Sequence, residues 1–129
     1  MAGALGRSEP DVFSSAVLHC PSLVPAAPLR HPIELVEAAR QLVMMLGHVV
    51  YGHSLDSHVV WIDLRADIPV APPSDLPLEL RWRSGTIGRV RPRATFDLEL
   101  VTGATVLGSL RFVTHTMSPT AYRKLRNAA

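Results

Sequence analysis

The chain has 129 residues, a formal net charge of +2 and an apolar fraction of 47%. This length fits one domain, and the apolar fraction is large enough to fill its core. So small a net charge gives no electrostatic reason to expect nucleic acid as a partner. The single cysteine, Cys20, excludes an internal disulfide and favours a reducing compartment.

The sequence carries no recognisable membrane or export signal. Its longest apolar run, residues 42–46, is far shorter than the roughly 20 residues that cross a bilayer. The N-terminal residues lack a basic segment followed by a long apolar one, so no secretory signal is predicted. We therefore expect a cytoplasmic protein that is not bound to a membrane.

The chain begins without a strong structural pattern. Residues 1–10 are expected to form a flexible N-terminus, and residues 16–19 a short strand. Several prolines between residues 21 and 32 then mark a loop, because proline fixes its backbone angle and cannot donate a hydrogen bond.

The strongest predicted element is a helix over residues 33–51. Pro32 suits its first turn, and Gly52 suits its end. The second half of this helix is apolar on every side, which is typical of a buried helix rather than an amphipathic one. The rest of the chain must therefore supply the surface that covers it.

Strands dominate the remainder of the chain. They are predicted at residues 59–68, 78–82, 94–101 and 104–114, with Thr102-Gly103 as a hairpin turn and a short helix opening at Ser118-Pro119. One buried helix among antiparallel strands predicts an α+β protein with the hotdog fold, in which the sheet wraps around one long central helix. Residues 11–129 are expected to form this single domain.

Polar side chains form one stripe on the predicted helix. Positions three or four apart share a face, which groups Glu37, Arg40, Gln41, Met44 and His48. Charged groups on a buried helix need partners or water. Either Glu37 and Arg40 pair with each other and stabilise the helix start, or the stripe faces a pocket. In a pocket, Glu37 and Arg40 are catalytic candidates, and the other three are candidates for substrate binding.

Two histidines flank the proline-rich loop that leads into the helix. Either His19 or His31 could lie beside Glu37, and a histidine facing a carboxylate forms a general acid–base pair. The histidines at positions 53, 58 and 115 are assigned surface or hydrogen-bonded roles.

Metal and cofactor chemistry finds no support in the sequence. His48, His53 and His58 are five residues apart and are separated by Gly52, which does not favour a zinc site. Cys20 follows a histidine directly, so in a strand the two would point to opposite faces, away from a nucleophile pair. No glycine-rich phosphate or dinucleotide motif occurs, and no cofactor is predicted.

Residues 29–41 resemble the A-factor biosynthesis hotdog family, which carries a Glu-x-x-Arg-Gln signature on its central helix. Glu37, Arg40 and Gln41 match that signature, and His31 matches a histidine that is typical of the family. Pro32 stands where the family often has aspartate. Residues 117–126 are similar to the family's closing segment, so the resemblance runs from about residue 19 to residue 126.

This resemblance implies an activity in secondary metabolism. Better-known members of the family transfer a β-ketoacyl group from a carrier protein to a hydroxylated three-carbon acceptor, on the way to γ-butyrolactone signals. The implied partners are an acyl carrier protein or a CoA thioester, and a backbone amide near the helix start could hold the thioester oxygen. Those members carry two hotdog repeats, whereas this chain has one, which implies a homodimer with two equivalent sites.

A second resemblance competes with the first. His19 and the prolines that follow it, together with Glu37 and Gln41 on the helix, are similar to β-hydroxyacyl carrier-protein dehydratases. That resemblance implies His19 and Glu37 as the acid and base of a dehydration. A third hypothesis is a non-catalytic module that binds an acyl chain or a lactone.

Overall fold

The computed structural model describes residues 1–9, 12–18, 28–83 and 93–128. Its elements are, in chain order, β1 (Gly6–Glu9), β2 (Val12–Ala16), α1 (Pro32–Val49), β3 (His58–Asp67), β4 (Glu79–Arg83), β5 (Arg93–Thr102), β6 (Thr105–Met117) and α2 (Pro119–Ala128). The strands form a six-stranded sheet in the order β1-β2-β4-β5-β6-β3, and all neighbours are antiparallel. The third strand of the chain therefore lies at an edge of the sheet.

The local sequence accounts for most of these elements. Phe96, Leu98 and Leu100 of β5 are buried, while the residues between them are exposed, as the two-residue period of a strand requires. Helix α1 begins at Pro32, directly after a histidine cap, and Gly52 adopts a φ of +66° just beyond its end. The prediction of the central helix and of the four strands after it is confirmed, with small shifts at their ends.

The N-terminal predictions need correction. Residues 1–10 were expected to be flexible, but β1 pairs with β2, and the Gly3 N–H donates to the Ala16 carbonyl at 2.7 Å. The strand expected at residues 16–19 lies earlier, at Val12–Ala16, where Val12 and Phe13 are buried. His19 and Cys20 lie outside the described residues.

Helix α1 packs one face against the sheet. Its buried side, which includes Leu35, Leu42 and Leu46, contacts a layer of side chains from the strands that includes Leu80, Leu98 and Phe112. The prediction that the apolar second half of this helix is buried on every side is wrong, since Val49 is 64% exposed and Met44 and Met45 are only partly buried. The sheet covers one side of the helix only, so side chains on the opposite half remain accessible. In the described part of the chain, no helix is both long enough and apolar enough to cross a membrane.

Gly108 of β6 is a position where backbone packing leaves no room for a side chain. A Cβ atom there would lie 2.5 Å from the Asp67 carbonyl oxygen and 3.1 Å from the Ile68 Cα. Because both are backbone atoms, relief requires β6 to move away from the end of β3. We expect Gly108→Ala to lower the free energy of unfolding by about 1–3 kcal/mol.

Urea unfolding of this variant beside Gly6→Ala measures that effect. The matched control places its Cβ at an acceptable 3.4 Å from the Ser14 side chain. Equal unfolding midpoints for the two variants would contradict the prediction.

Candidate active site

Three side chains of α1 form a hydrogen-bonded group, which we call the helix trio: Glu37, Arg40 and Gln41. The Arg40 guanidinium donates from Nε to Glu37 Oε2 at 2.9 Å and from Nη2 to Glu37 Oε1 at 2.7 Å. The Gln41 amide donates from Nε2 to the same Oε1 at 3.0 Å. Positions three and four residues apart on a helix face each other, so the predicted spacing produces this contact.

The helix trio is neither sealed nor fully exposed. The Glu37 side chain is 28% exposed and the Arg40 side chain 43%. The ion pair expected from one interpretation of the sequence is therefore present, and it stays within reach of a ligand in solution. Pairing and access to a ligand are compatible in this arrangement.

The electrostatics of the trio keep Glu37 ionised. Hydrogen bonds from the Arg40 guanidinium lower the pKa of Glu37 from 4.5 to about 2, the Gln41 amide adds to this, and partial burial opposes it. A carboxylate with so low a pKa is a weak base near neutral pH. The arrangement suits a group that orients a hydroxyl or stabilises positive charge better than one that removes a proton from carbon.

Gln41 connects the trio to the N-terminal segment. Its Oε1 accepts a hydrogen bond from the Ala2 N–H at 2.9 Å, while its Nε2 donates to Glu37. Both ends of the amide are engaged, which fixes its orientation. The residues before β1 therefore border the site, although their sequence pattern predicts only a flexible terminus.

His31 serves as the cap of α1. Its Nδ1 accepts a hydrogen bond from the Ile33 N–H at 3.1 Å, and its carbonyl accepts from the Glu34 N–H at 3.0 Å. Since Pro32 has no N–H, the first three helical residues offer no free backbone donor. The expected backbone amide for a thioester oxygen is not available at these positions. No described contact brings the His31 ring to Glu37.

The rest of the predicted stripe lies elsewhere. Met44 and His48 line a cavity of about 20 Å³ between the second half of α1 and the sheet. A cavity of that size holds about one water molecule. Glu37 and His48 are separated by a helical rise of roughly 16 Å, so the stripe serves two places.

His53 lines this cavity, although its place in the sequence predicts only a surface or hydrogen-bonded role. Its carbonyl oxygen lies 2.8 Å from Nδ1 of His48, and its N–H donates to the Gly47 carbonyl at 3.0 Å. Burial, with a smaller effect from His48, lowers the pKa of the His53 ring. The positive φ of Gly52 turns the chain back onto the helix. In the sequence, this glycine indicates the end of the helix but not that His53 returns to contact it. Within the described ranges, no three acidic, histidine or cysteine side chains could hold a metal ion.

Comparison with known proteins now identifies the family. The model of the A-factor biosynthesis hotdog domain matches residues 20–118. The chain belongs to this A-factor hotdog family. No curated protein sequence matches it.

Solved structures establish the hotdog fold independently. A thioesterase from Haemophilus influenzae is 14% identical, with a TM-score of 0.65, and the match covers 88% of this chain and 77% of that one. A thioesterase variant from Pseudomonas aeruginosa is 15% identical, with a TM-score of 0.64 and coverage of 88% and 79%. A virulence protein from Campylobacter jejuni is 11% identical, with a TM-score of 0.66 and coverage of 90% and 84%. At such low identities, these likenesses establish the fold alone.

The residues that match the signature of the A-factor hotdog family are the members of the helix trio. In this chain, they bond to one another on the open side of the central helix. Met44 and His48, which are not part of that signature, line the separate cavity. The structure thus divides the five residues of the predicted helix stripe into a signature group and a cavity group.

Proposed function

We propose that this protein is an enzyme that acts on acyl thioesters and that the helix trio is its catalytic group. The observation that carries the proposal is a carboxylate, held by an arginine and an amide, on the accessible side of the central hotdog helix. Family membership supports the chemistry, and two structures with the same fold are named thioesterases. The specific reaction we propose is β-ketoacyl transfer from an acyl carrier protein or CoA to a hydroxylated acceptor in the cytoplasm.

The geometry of Glu37 suits the binding of an acceptor hydroxyl. Among the described residues, its Oε1 accepts two hydrogen bonds, whereas Oε2 accepts one, from Arg40 Nε, and has a lone pair available for a ligand. A hydroxyl that donates to Oε2 would be oriented for attack on the thioester carbon. The new C–O bond forms as the C–S bond breaks, and the hydroxyl proton ends on the departing thiol. Arg40 has further N–H groups for an anionic part of the substrate.

Dehydration receives less support from the same geometry. A group that protonates a leaving hydroxyl must carry a proton, but a pKa of about 2 leaves Glu37 ionised near neutral pH. His19, the other member of the predicted dehydratase pair, lies outside the described residues.

We also propose that two copies of the chain associate through β3. Leu64 is paired with Phe112 across β3 and β6 and so lies on the same face of the sheet. Phe112 is 2% exposed, but Leu64 is 44% exposed, which leaves an exposed leucine side chain at the edge of the face that packs against α1. An edge strand of ten residues also presents backbone groups that a second copy can pair with.

A single incubation tests the proposed reaction. We expect purified protein, a β-ketoacyl carrier protein and a hydroxylated acceptor to give acylated acceptor and free carrier, both measured by mass spectrometry. Free acid without acylated acceptor would identify a thioesterase. Binding without turnover across acyl lengths would identify a non-catalytic module and remove the proposed enzyme.

A further inference from the structure

Two nitrogens of the Arg30 guanidinium have no acceptor among the described residues. It directly precedes the cap of α1 and is only 7% exposed. Its Nε and Nη1 are shielded from solvent and have no hydrogen-bond partner among the described residues. A buried guanidinium with unmade hydrogen bonds is strongly unfavourable, and folded proteins rarely retain one.

Backbone hydrogen bonds hold the chain at Arg30 against the proline-rich segment that follows β3. The Arg30 N–H donates to the Pro72 carbonyl at 2.8 Å, and the Ser74 N–H donates to the Pro28 carbonyl at 2.9 Å. Glu34, the nearest acidic residue along the sequence, is buried but accepts from neither of the two orphan nitrogens. The missing acceptor therefore comes from outside these residues.

The surroundings favour an anion as that acceptor. Arg30 stands at the N-terminal end of an 18-residue helix, where the helix dipole is positive. The N–H groups of Ile33 and Glu34 are already bonded, so the helix end contributes its field rather than free donors. Oxygen atoms of a carboxylate or phosphate are the usual partners of a guanidinium.

We propose that Arg30 binds an oxyanion, either a carboxylate or a phosphate, that belongs to a ligand of this protein. The site lies at the same end of α1 as the helix trio, because Glu37 is only five residues past Pro32, a rise of roughly 8 Å. This anion site is a separate proposal from the acyl-transfer reaction. Its test measures stability and not turnover, so failure of the anion site does not decide the proposed reaction, and failure of the reaction does not decide the anion site.

Thermal unfolding with simple anions tests this site. Wild type, Arg30→Met and Arg111→Met are compared in phosphate, acetate and chloride at equal ionic strength. We expect phosphate or acetate to raise the Tm of wild type and Arg111→Met above the chloride value, but not that of Arg30→Met. Arg111 is the matched control because it is exposed and pairs with Asp97, so it reports the general effect of excluded salts. Phosphate and acetate in separate series identify which oxyanion is preferred.

Three outcomes would contradict the proposed anion site at Arg30. An equal response to anions in Arg30→Met and wild type shows that the ion acts elsewhere. No anion response, with Arg30→Met more stable than wild type, shows an unliganded charge that only costs stability. No anion response, with Arg30→Met converted from dimer to monomer, shows that a second copy provides the acceptor. If Arg30→Met does not fold, Arg30→Gln removes the charge and keeps a polar side chain of intermediate length, and a retained anion response there also counts against the site.

Discussion

Replacing Glu37 by glutamine is expected to lower kcat/KM for acyl thioester turnover by roughly 100- to 1,000-fold. Glutamine has nearly the same shape, but it removes the negative charge that Arg40 and an acceptor hydroxyl both contact. Its NH2 group would also face donors of Arg40 and Gln41, which disturbs the helix trio. Initial rates with a β-ketoacyl carrier protein measure the effect, and circular dichroism verifies that the fold is retained.

Glu79→Gln is the matched control for this variant. Glu79 also pairs with an arginine, Arg81 at 3.4 Å, but on an exposed strand rather than on the central helix. We expect its rates to equal those of wild type, because an exposed ion pair has little influence on stability or on a distant site. Wild-type activity in Glu37→Gln would remove the helix trio from the mechanism.

The pH profile of the rate distinguishes a Glu37 that orients a hydroxyl from a Glu37 that acts as a general base. Its pKa of about 2 predicts that activity does not depend on Glu37 titration between pH 8 and about pH 4. Because the pKa in the folded chain lies below 4.5, the ionised pair stabilises the fold above about pH 4.5. This stabilisation is lost as the pH falls towards 2. A rate that instead rises with an apparent pKa near 6 would assign the reaction to a different base.

Local patterns explain why the helix, the later strands and the trio could be predicted. In β5 the alternation of Phe96, Leu98 and Leu100 marks one buried face whatever lies around it. The trio follows from helical spacing alone, since positions 37, 40 and 41 must be neighbours once the helix forms. Features of this kind depend on residues that are close in sequence.

Contacts between distant parts of the chain could not be predicted in the same way. The hydrogen bond from Ala2 to Gln41 joins residues 39 apart, and β1 shows no alternation that would indicate a strand. Spacing also groups Met44 and His48 with the trio, but the cavity at the second half of the helix depends on how the sheet and His53 close around it. Whether a helix face is covered is decided by those distant elements.

Leu64→Glu is the second variant from which we expect a large effect, in this case on assembly. The side chain lies on the covered face of the sheet at its outermost strand and remains 44% exposed in one chain. Because this position is 44% exposed, a glutamate carboxylate can reach water in the monomer, so its effect on folding should be small. In a dimer that covers β3, the same carboxylate would be buried without a partner, which is strongly unfavourable.

We therefore expect Leu64→Glu to weaken dimerisation at least 100-fold, or about 3 kcal/mol, as measured by analytical ultracentrifugation over a dilution series. Leu55→Glu is the control, because Leu55 is 87% exposed in the turn before β3 and should leave the dimer intact. A wild-type monomer at all concentrations, or a dimer unaffected by Leu64→Glu, would contradict the proposed interface. Loss of turnover in monomeric Leu64→Glu, with Glu37 intact, would mean that each site needs residues from both copies. Full turnover by that monomer would instead mean that a single chain completes the site.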